Sequence, residues 1–535
     1  MKKITKIHKI TYKIAFSFLA LALMLAASSC EDLQEDPIGE LIPDGFFKTE
    51  ADVVTALNGA YSAITSEEFW GRKLTLALLL RGDMATIGDP TTTAIRIQVD
   101  DFQMDANNGM VDAMWPRAFE AIASANLAIE GVTFIEASEE NKNALIAEGR
   151  FLRAFVYYHM VRLYGEIPYI DYIFENANDG FTVAQDDIST IYEKIITDLE
   201  YAKEWLPDDQ GIRSRPSKGT AAAFLASVHL TNESWQNAYD EAKYVIDNKA
   251  LFGYDLAADF QDLFNAGPAG SASIQDQPDV AMEFVFSIDF RGQDESSLSG
   301  FGNYTRDYIP SVTGIRGDER HPNGEGWSVA VPTLAVYNNW DYRDYRKTVS
   351  LDSVTIMGDT LTSFIYWDQA SRAVARPHIA KYFRYFGDAG LNGRDSDFNY
   401  AAMRYSEVLL IAAEALTELN VGGTAEAADY INEVRQRARR ELDDDSGNDS
   451  PIPTNVTAGL DYASFLNVVL EERRLELAFE FKRWYDIVRR RIGDQAFGPT
   501  GLEPNANFTP ARDYLFPKSQ VEISLNENIK QNDGY

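Results

Sequence analysis

The sequence predicts an all-α protein, built as a scaffold of paired helices that carries one large irregular insertion. Three observations lead there. Apolar residues recur at spacings of three and four through residues 49–250 and again through 400–491. Within those stretches, helix pairs about 34 residues long are dotted with alanine where two helices must approach closely. Between them, residues 251–399 lose the helical period and fill with Gly, Pro, Asp and Asn.

Taken in order, the first element is an address. Lys2, Lys3, Lys6, Lys9 and Lys13 precede the apolar run 14–27, and Ser28-Ser29-Cys30 closes it. This is the secretory pattern, with a run shorter than the roughly 20 residues a membrane span needs. Cys30 is the one cysteine among 535 residues, and Leu25-Ala26-Ala27-Ser28-Ser29-Cys30 resembles a lipobox. We therefore expect residues 1–29 to be a lipoprotein signal peptide and Cys30 the lipid attachment point. The acidic, Pro- and Gly-punctuated segment 30–48 reads as a tether.

The N-terminal scaffold, 49–250, opens with Val53, Val54, Leu57, Ala60, Tyr61 and Ile64 on one face. Helices follow around Trp115–Ile129, over 142–164 until Pro168, and over 186–206 until Pro207. The pair 216–231 and 235–248 resembles a tetratricopeptide repeat. The C-terminal scaffold, 400–535, repeats the pattern with 401–420 and 424–440, then one long helix over 462–491. Trp115, Trp205, Trp235 and Trp484 fall in helical stripes and are assigned to the core. In the insertion 251–399, abundant aromatic residues argue for order rather than disorder.

Charge and chemistry exclude more than they identify. Lys and Arg number 49 against 82 Asp and Glu, a net charge of −33 that becomes −38 once residues 1–29 leave. Such a field disfavours nucleic acid. No phosphate loop, dinucleotide fingerprint, HExxH or GxSxG occurs. His159 and His229 lie on apolar helix faces as core residues, and His321 and His378 lack a second histidine at ligand spacing. Asp443-Asp444-Asp445 does not fit a calcium loop. We expect no catalytic residues, metal or cofactor, with a structural calcium left open.

Aromatic surface remains. A Trp or Tyr face stacks on the axial C–H groups of a pyranose, and flanking Asp, Asn and Arg fork onto its hydroxyls. Two regions hold that mixture: Phe69-Trp70-Gly71-Arg72 with Arg81-Gly82-Asp83, and the insertion segment with Tyr304, Arg306, Tyr308, Trp327 and Trp367. The expected glycan-binding set is Trp70, Tyr304, Tyr308, Trp327 and Trp367, with Asp83 accepting from hydroxyls. The acidic field favours a neutral or marine-type polysaccharide, with Arg72, Arg81 or Arg306 available to an anionic one.

Ordered motifs then carry a resemblance. They are Trp115 with Ile122 and Asn126; Ala147-Glu148-Gly149-Arg150-Phe151-Leu152-Arg153-Ala154 before Tyr164-Gly165-Glu166-Ile167-Pro168; and Ser214–Ala221. Met403–Leu410 with Ile431–Arg435 follows, then Glu471–Leu477 with Arg483–Arg489, and finally Leu515-Phe516-Pro517 running to Gln531-Asn532-Asp533-Gly534-Tyr535. From Cys30 to Tyr535 the chain resembles the SusD/RagB outer-membrane lipoproteins of Bacteroidetes. It departs where Phe481 occupies the small-residue position of "EGxR" and Phe516-Pro517-Lys518 replaces "PIP". The resemblance implies a surface-exposed, outer-membrane, non-catalytic glycan-capturing lipoprotein that acts as the lid of a SusC-like TonB-dependent transporter. A peptide-binding RagB-type protein and a surface glycoside hydrolase are the competing readings.

Overall fold

The computed structural model of the protein describes residues 43–268, 270–291, 306–316, 318, 326–357, 360–363, 375–439 and 450–535. Cys30, Tyr304, His321, Trp367 and the acidic run at 443–445 lie outside the described residues.

Within the unit Phe47–Tyr535, long helices follow one another as the apolar periods predict. They are α1 (Glu50–Ile64), α2 (Lys73–Leu80), α3 (Val111–Gly131), α4 (Glu139–Tyr164), α5 (Ile188–Trp205), α6 (Lys218–Thr231) and α7 (Trp235–Asp247). After the irregular region come α8 (Tyr405–Asn420), α9 (Ala425–Ala438), α10 (Tyr462–Glu476) and α11 (Arg483–Arg490). Side chains that seek backbone N–H groups set several starts: Ser138 accepts from Asn141, Ser217 from Thr220, Thr424 from Ala427 and Asp461 from Ser464. Packing runs in chain order through α3 on α1, α4 on α3, α5 on α4, α6 on α5 and α7 on α6. It then continues from α7 directly onto α8, although more than 150 residues separate them in sequence. The irregular region thus leaves the helical array and returns to it without breaking the stack.

Alanines make the close approaches. Ala221, Ala222, Ala238, Ala242, Ala412 and Ala428 are all buried at these contacts. The irregular region is tied down by short antiparallel pairs. β1 (Ala85–Ile87) joins β3 (Ala330–Pro332), and β2 (Phe284–Asp289) joins β8 (Asn399–Arg404). β4 (Leu351–Asp352) joins β7 (His378–Ile379), and β5 (Val354–Met357) forms a hairpin with β6 (Thr360–Ser363).

Three expectations need correction. The helix over 462–491 is two helices, Tyr462–Glu476 and Arg483–Arg490, joined by the fully buried turn Leu477–Phe481. Phe479 and Phe481 take left-handed backbone angles, φ 64° and 63°, to make the break. Trp205 and Trp235 are half-buried rather than core. They flank polar partners instead: Trp205 faces Tyr201 at 6.4 Å and Arg490 lies 5.9 Å over Trp235.

The break serves a buried ion-pair network. Arg404, at the β8–α8 junction, contacts Glu283 at 2.5 Å, Glu476 at 2.8 Å and Glu480 at 2.7 Å. Arg437 shares Glu283 and Glu476, while Arg346 joins Glu476 to Asp344 and Glu472. Burial opposes ionisation of Glu476, but Arg437, Arg404 and Arg346 outweigh it and hold its carboxyl well below the usual range. The network clamps the irregular region to α9 and α10, so the walls described next have a rigid base.

Candidate functional site

The two aromatic regions that look separate in sequence meet, though not through the residues the sequence singles out. Trp70 is 2% exposed and packs against Phe155 (6.0 Å), His159 (5.7 Å) and Phe481 (6.0 Å). Its ring is core and offers no face to a sugar. Asp83 is 1% exposed, and both its oxygens accept from Arg483 at 2.7 Å. That bidentate pair joins the end of α2 to the start of α11 and leaves no oxygen for a hydroxyl. Arg81 is buried as well, 3.1 Å from Asp513 and stacked 4.2 Å over Phe102.

What the 66–72 turn contributes is Arg72. Its guanidinium lies 4.6 Å over the Tyr308 ring and pairs with Glu67. The turn reaches Tyr308 because position 71 is glycine. The Tyr308 N–H donates to the Gly71 carbonyl at 2.8 Å, and a Cβ at Gly71 would fall 1.9 Å from the Arg306 carbonyl oxygen.

Tyr308, 7% exposed, backs Trp327, whose ring centroid is 5.9 Å away at a 39° tilt. Trp327 is half-buried. Its backbone is fixed on both sides: its N–H donates to Ser311 at 2.7 Å, and its carbonyl accepts from Arg316 Nη2 at 2.9 Å. Arg316 also reaches Asp89 at 3.2 Å. The neighbouring Ser328 Oγ lies 2.6 Å from His378 Nε2, whose Nδ1 meets the Arg376 carbonyl at 2.9 Å. Both side chains of that serine–histidine pair are buried and brace the Trp327 loop, out of reach of any substrate.

Beneath the aromatic pair sits Asp307, fully buried, which accepts from Tyr400 at 2.7 Å, Ile309 N–H at 2.8 Å and Ser396. Burial pushes its carboxyl up to about 7. Its carbonyl accepts from Asp395 N–H at 2.7 Å. Asp395 is half-buried and left-handed at φ 54°, and its Oδ1 is shielded from solvent without a hydrogen-bond partner among the described residues. Burial raises its carboxyl, against the pull of Arg306 and Arg394. It also lines a cleft of about 1350 Å³ together with Arg213, Lys249, Asp276, Asp289 and Asn399. Trp327, Tyr308 and Arg72 thus stack in sequence, Arg306 bonds the Tyr308 hydroxyl, and Asp395, tied to Asp307, is the one of these residues that lines the cleft.

Other expectations hold: Trp115 and Trp484 are buried, as are His159 and His229. His159 Nδ1 meets Tyr485 at 2.7 Å, and burial with Arg162 and Lys482 keeps the ring neutral. Among the described residues no helix is long and apolar enough to cross a membrane.

Comparison with known proteins agrees with this architecture. Residues 47–230 match a family model described as "Starch-binding associating with outer membrane", and residues 369–535 match the model of the SusD family. SusD-like protein P2 of Formosa agariphila is 49% identical over 527 residues, covering 98% of this chain and 99% of that protein. The crystal structure of a SusD homologue from Bacteroides thetaiotaomicron superposes with a TM-score of 0.78 at 21% identity, covering 92% of this chain and 98% of that one. A laminarin-binding SusD-like protein superposes with a TM-score of 0.72 at 20% identity, over 91% and 100% of the two chains.

Proposed function

We propose, from the premise that the chain belongs to the SusD family, that it is a non-catalytic lipoprotein which captures oligosaccharide at the Trp327 surface and passes it to a SusC-like TonB-dependent transporter. The observation that carries this reading is the half-buried Trp327, braced by Tyr308 and fixed through its own N–H and carbonyl. A rigid, part-exposed indole binds a pyranose at low entropic cost, because nothing must be ordered on binding. The cleft that Asp395 lines, with apolar and charged walls, suits the remaining units of a chain.

In this reading Cys30 carries the lipid that holds the protein at the outer membrane, and the molecule serves as a lid. Tyr304 and Trp367 are proposed to extend the aromatic surface. Calorimetry with laminarin, starch, fructan, chitin and pectic fragments tests the proposal. Trp327→Ala should weaken whichever glycan binds, with the far-UV circular dichroism unchanged. A peptide ligand in place of all the glycans would transfer the protein to the RagB-type reading, and released reducing ends would make it a hydrolase.

A further inference from the structure

The chain is strongly acidic, and the buried arginines of its scaffold sit beside carboxylates: Arg81 with Asp513, Arg153 with Asp198, Arg346 and Arg404 with glutamates, Arg489 with Glu414. The arginines around Trp327 are half-buried, and they divide into two kinds. Arg72 and Arg316 are paired there, with Glu67 and Asp89. Arg96 and Arg306, both half-buried, form no ion pair among the described residues, although Glu67 acts on both from a distance and Asp395 on Arg306.

Arg96 donates to Thr92 Oγ1 at 3.1 Å, and Thr92 N–H donates to the carbonyl of Asp89, the residue paired with Arg316. Arg306 donates from Nη1 to the Tyr308 hydroxyl at 3.3 Å. The two guanidiniums are thus tied to the two ends of the support that holds Trp327. Burial and the like charge of Arg72 lower the Arg96 guanidinium to about 10, so it stays cationic at neutral pH while its charge is poorly compensated.

We infer that this site takes a glycan bearing anionic substituents, sulfate esters or uronate carboxylates, which Arg96 and Arg306 bind while Trp327 stacks on the ring. The inference rests on the glycan reading above and deepens it. Guanidinium is weakly hydrated and presents a planar fork that matches both oxyanions. An arriving anion relieves the repulsion between Arg96 and Arg72. The overall negative charge does not prevent it, because at physiological salt charges more than about 8 Å away are largely screened. This reverses the preference for a neutral polysaccharide that composition alone supports.

Two measurements test the inference on the purified protein. In the first, thermal unfolding is followed in sodium sulfate or sodium acetate against sodium chloride at matched ionic strength. A saturable upward shift is expected with one or both anions. It should be lost in Arg96→Gln and Arg306→Gln and smaller but present in Arg96→Lys and Arg306→Lys, which keep the charge without the fork, and the effective anion tells a sulfate site from a carboxylate site. Equal behaviour of sulfate, acetate and chloride, or equal shifts in the Gln variants, overturns the inference.

In the second, κ-carrageenan is compared with its desulfated form and alginate with its carboxyl-reduced form. The charged member should bind roughly tenfold tighter, with the advantage shrinking as salt rises. Equal binding of both members overturns the anionic inference. If Trp327→Ala abolishes polymer binding while the Gln variants bind as before, the glycan reading stands and the anionic one fails. If the Gln variants lose binding while Trp327→Ala does not, the anion site stands and ring stacking at Trp327 fails.

Discussion

Replacing Phe481 should reverse the usual order of alanine and glycine. Phe481 is buried, sits at φ 63°, and stacks on Tyr382 at 5.7 Å with the planes 10° apart, while Trp70 and Tyr400 lie 6.0 and 6.2 Å away. Removing the ring costs about 3–5 kcal/mol in either variant. A left-handed backbone costs a non-glycine residue about 1–2 kcal/mol, and only Phe481→Gly escapes that cost. At an unstrained position glycine is the weaker residue by roughly 0.5–1 kcal/mol. Here Phe481→Gly should exceed Phe481→Ala by about 1 kcal/mol, read as a higher urea midpoint at equal slope. An alanine variant as stable as the glycine variant, or more so, would refute the strain argument. The same argument explains the motif: the small residue of "EGxR" relieves the backbone, and this chain keeps the strain in exchange for an aromatic contact under the site.

Two other perturbations follow from the walls of the site. Asp307 has its folded-state carboxyl near 7 against about 3.9 unfolded, so the native state binds the extra proton. Its stabilising effect is complete below pH 4 and is lost as pH rises toward 7, at about 1.4 kcal/mol per unit. Asp307→Asn should therefore flatten the fall of the urea midpoint between pH 5 and 7, and an unchanged profile would exclude Asp307 as a source of that slope. Gly71→Ala places a methyl 1.9 Å from the Arg306 carbonyl. It should move the 66–72 turn off Tyr308 and cut glycan affinity about tenfold with little loss of helicity; full affinity in calorimetry would contradict the close-approach argument.

The scaffold was readable because helices that bury one face announce themselves by period. Residues 50–64 gave α1 with matching bounds, and the alanine-rich pairs gave α6–α7 and α8–α9 within a few residues. The last helix reads as one in sequence because its left-handed turn falls on Phe479 and Phe481 rather than on glycine, and a pattern read only as apolar or polar cannot show two glutamates turned inward on Arg404. The site was half readable. Trp70 and Trp327 look alike in sequence, and only the third dimension places one among Phe155, His159 and Phe481 and leaves the other half-buried. Asp83 looked available until Arg483, 400 positions away, supplied both its bonds. Arg96 carries no local signal, since what marks it is its nearness to Arg72 and to the support of Trp327, which spacing cannot show.

The central claim is that Trp327 is the stacking face of a glycan site. Calorimetric titration of wild type and Trp327→Ala with the glycan that wild type binds tests it most directly. The account predicts a loss of about 2 kcal/mol, roughly thirtyfold in Kd, with circular dichroism unchanged. Equal affinity in the two proteins would contradict it.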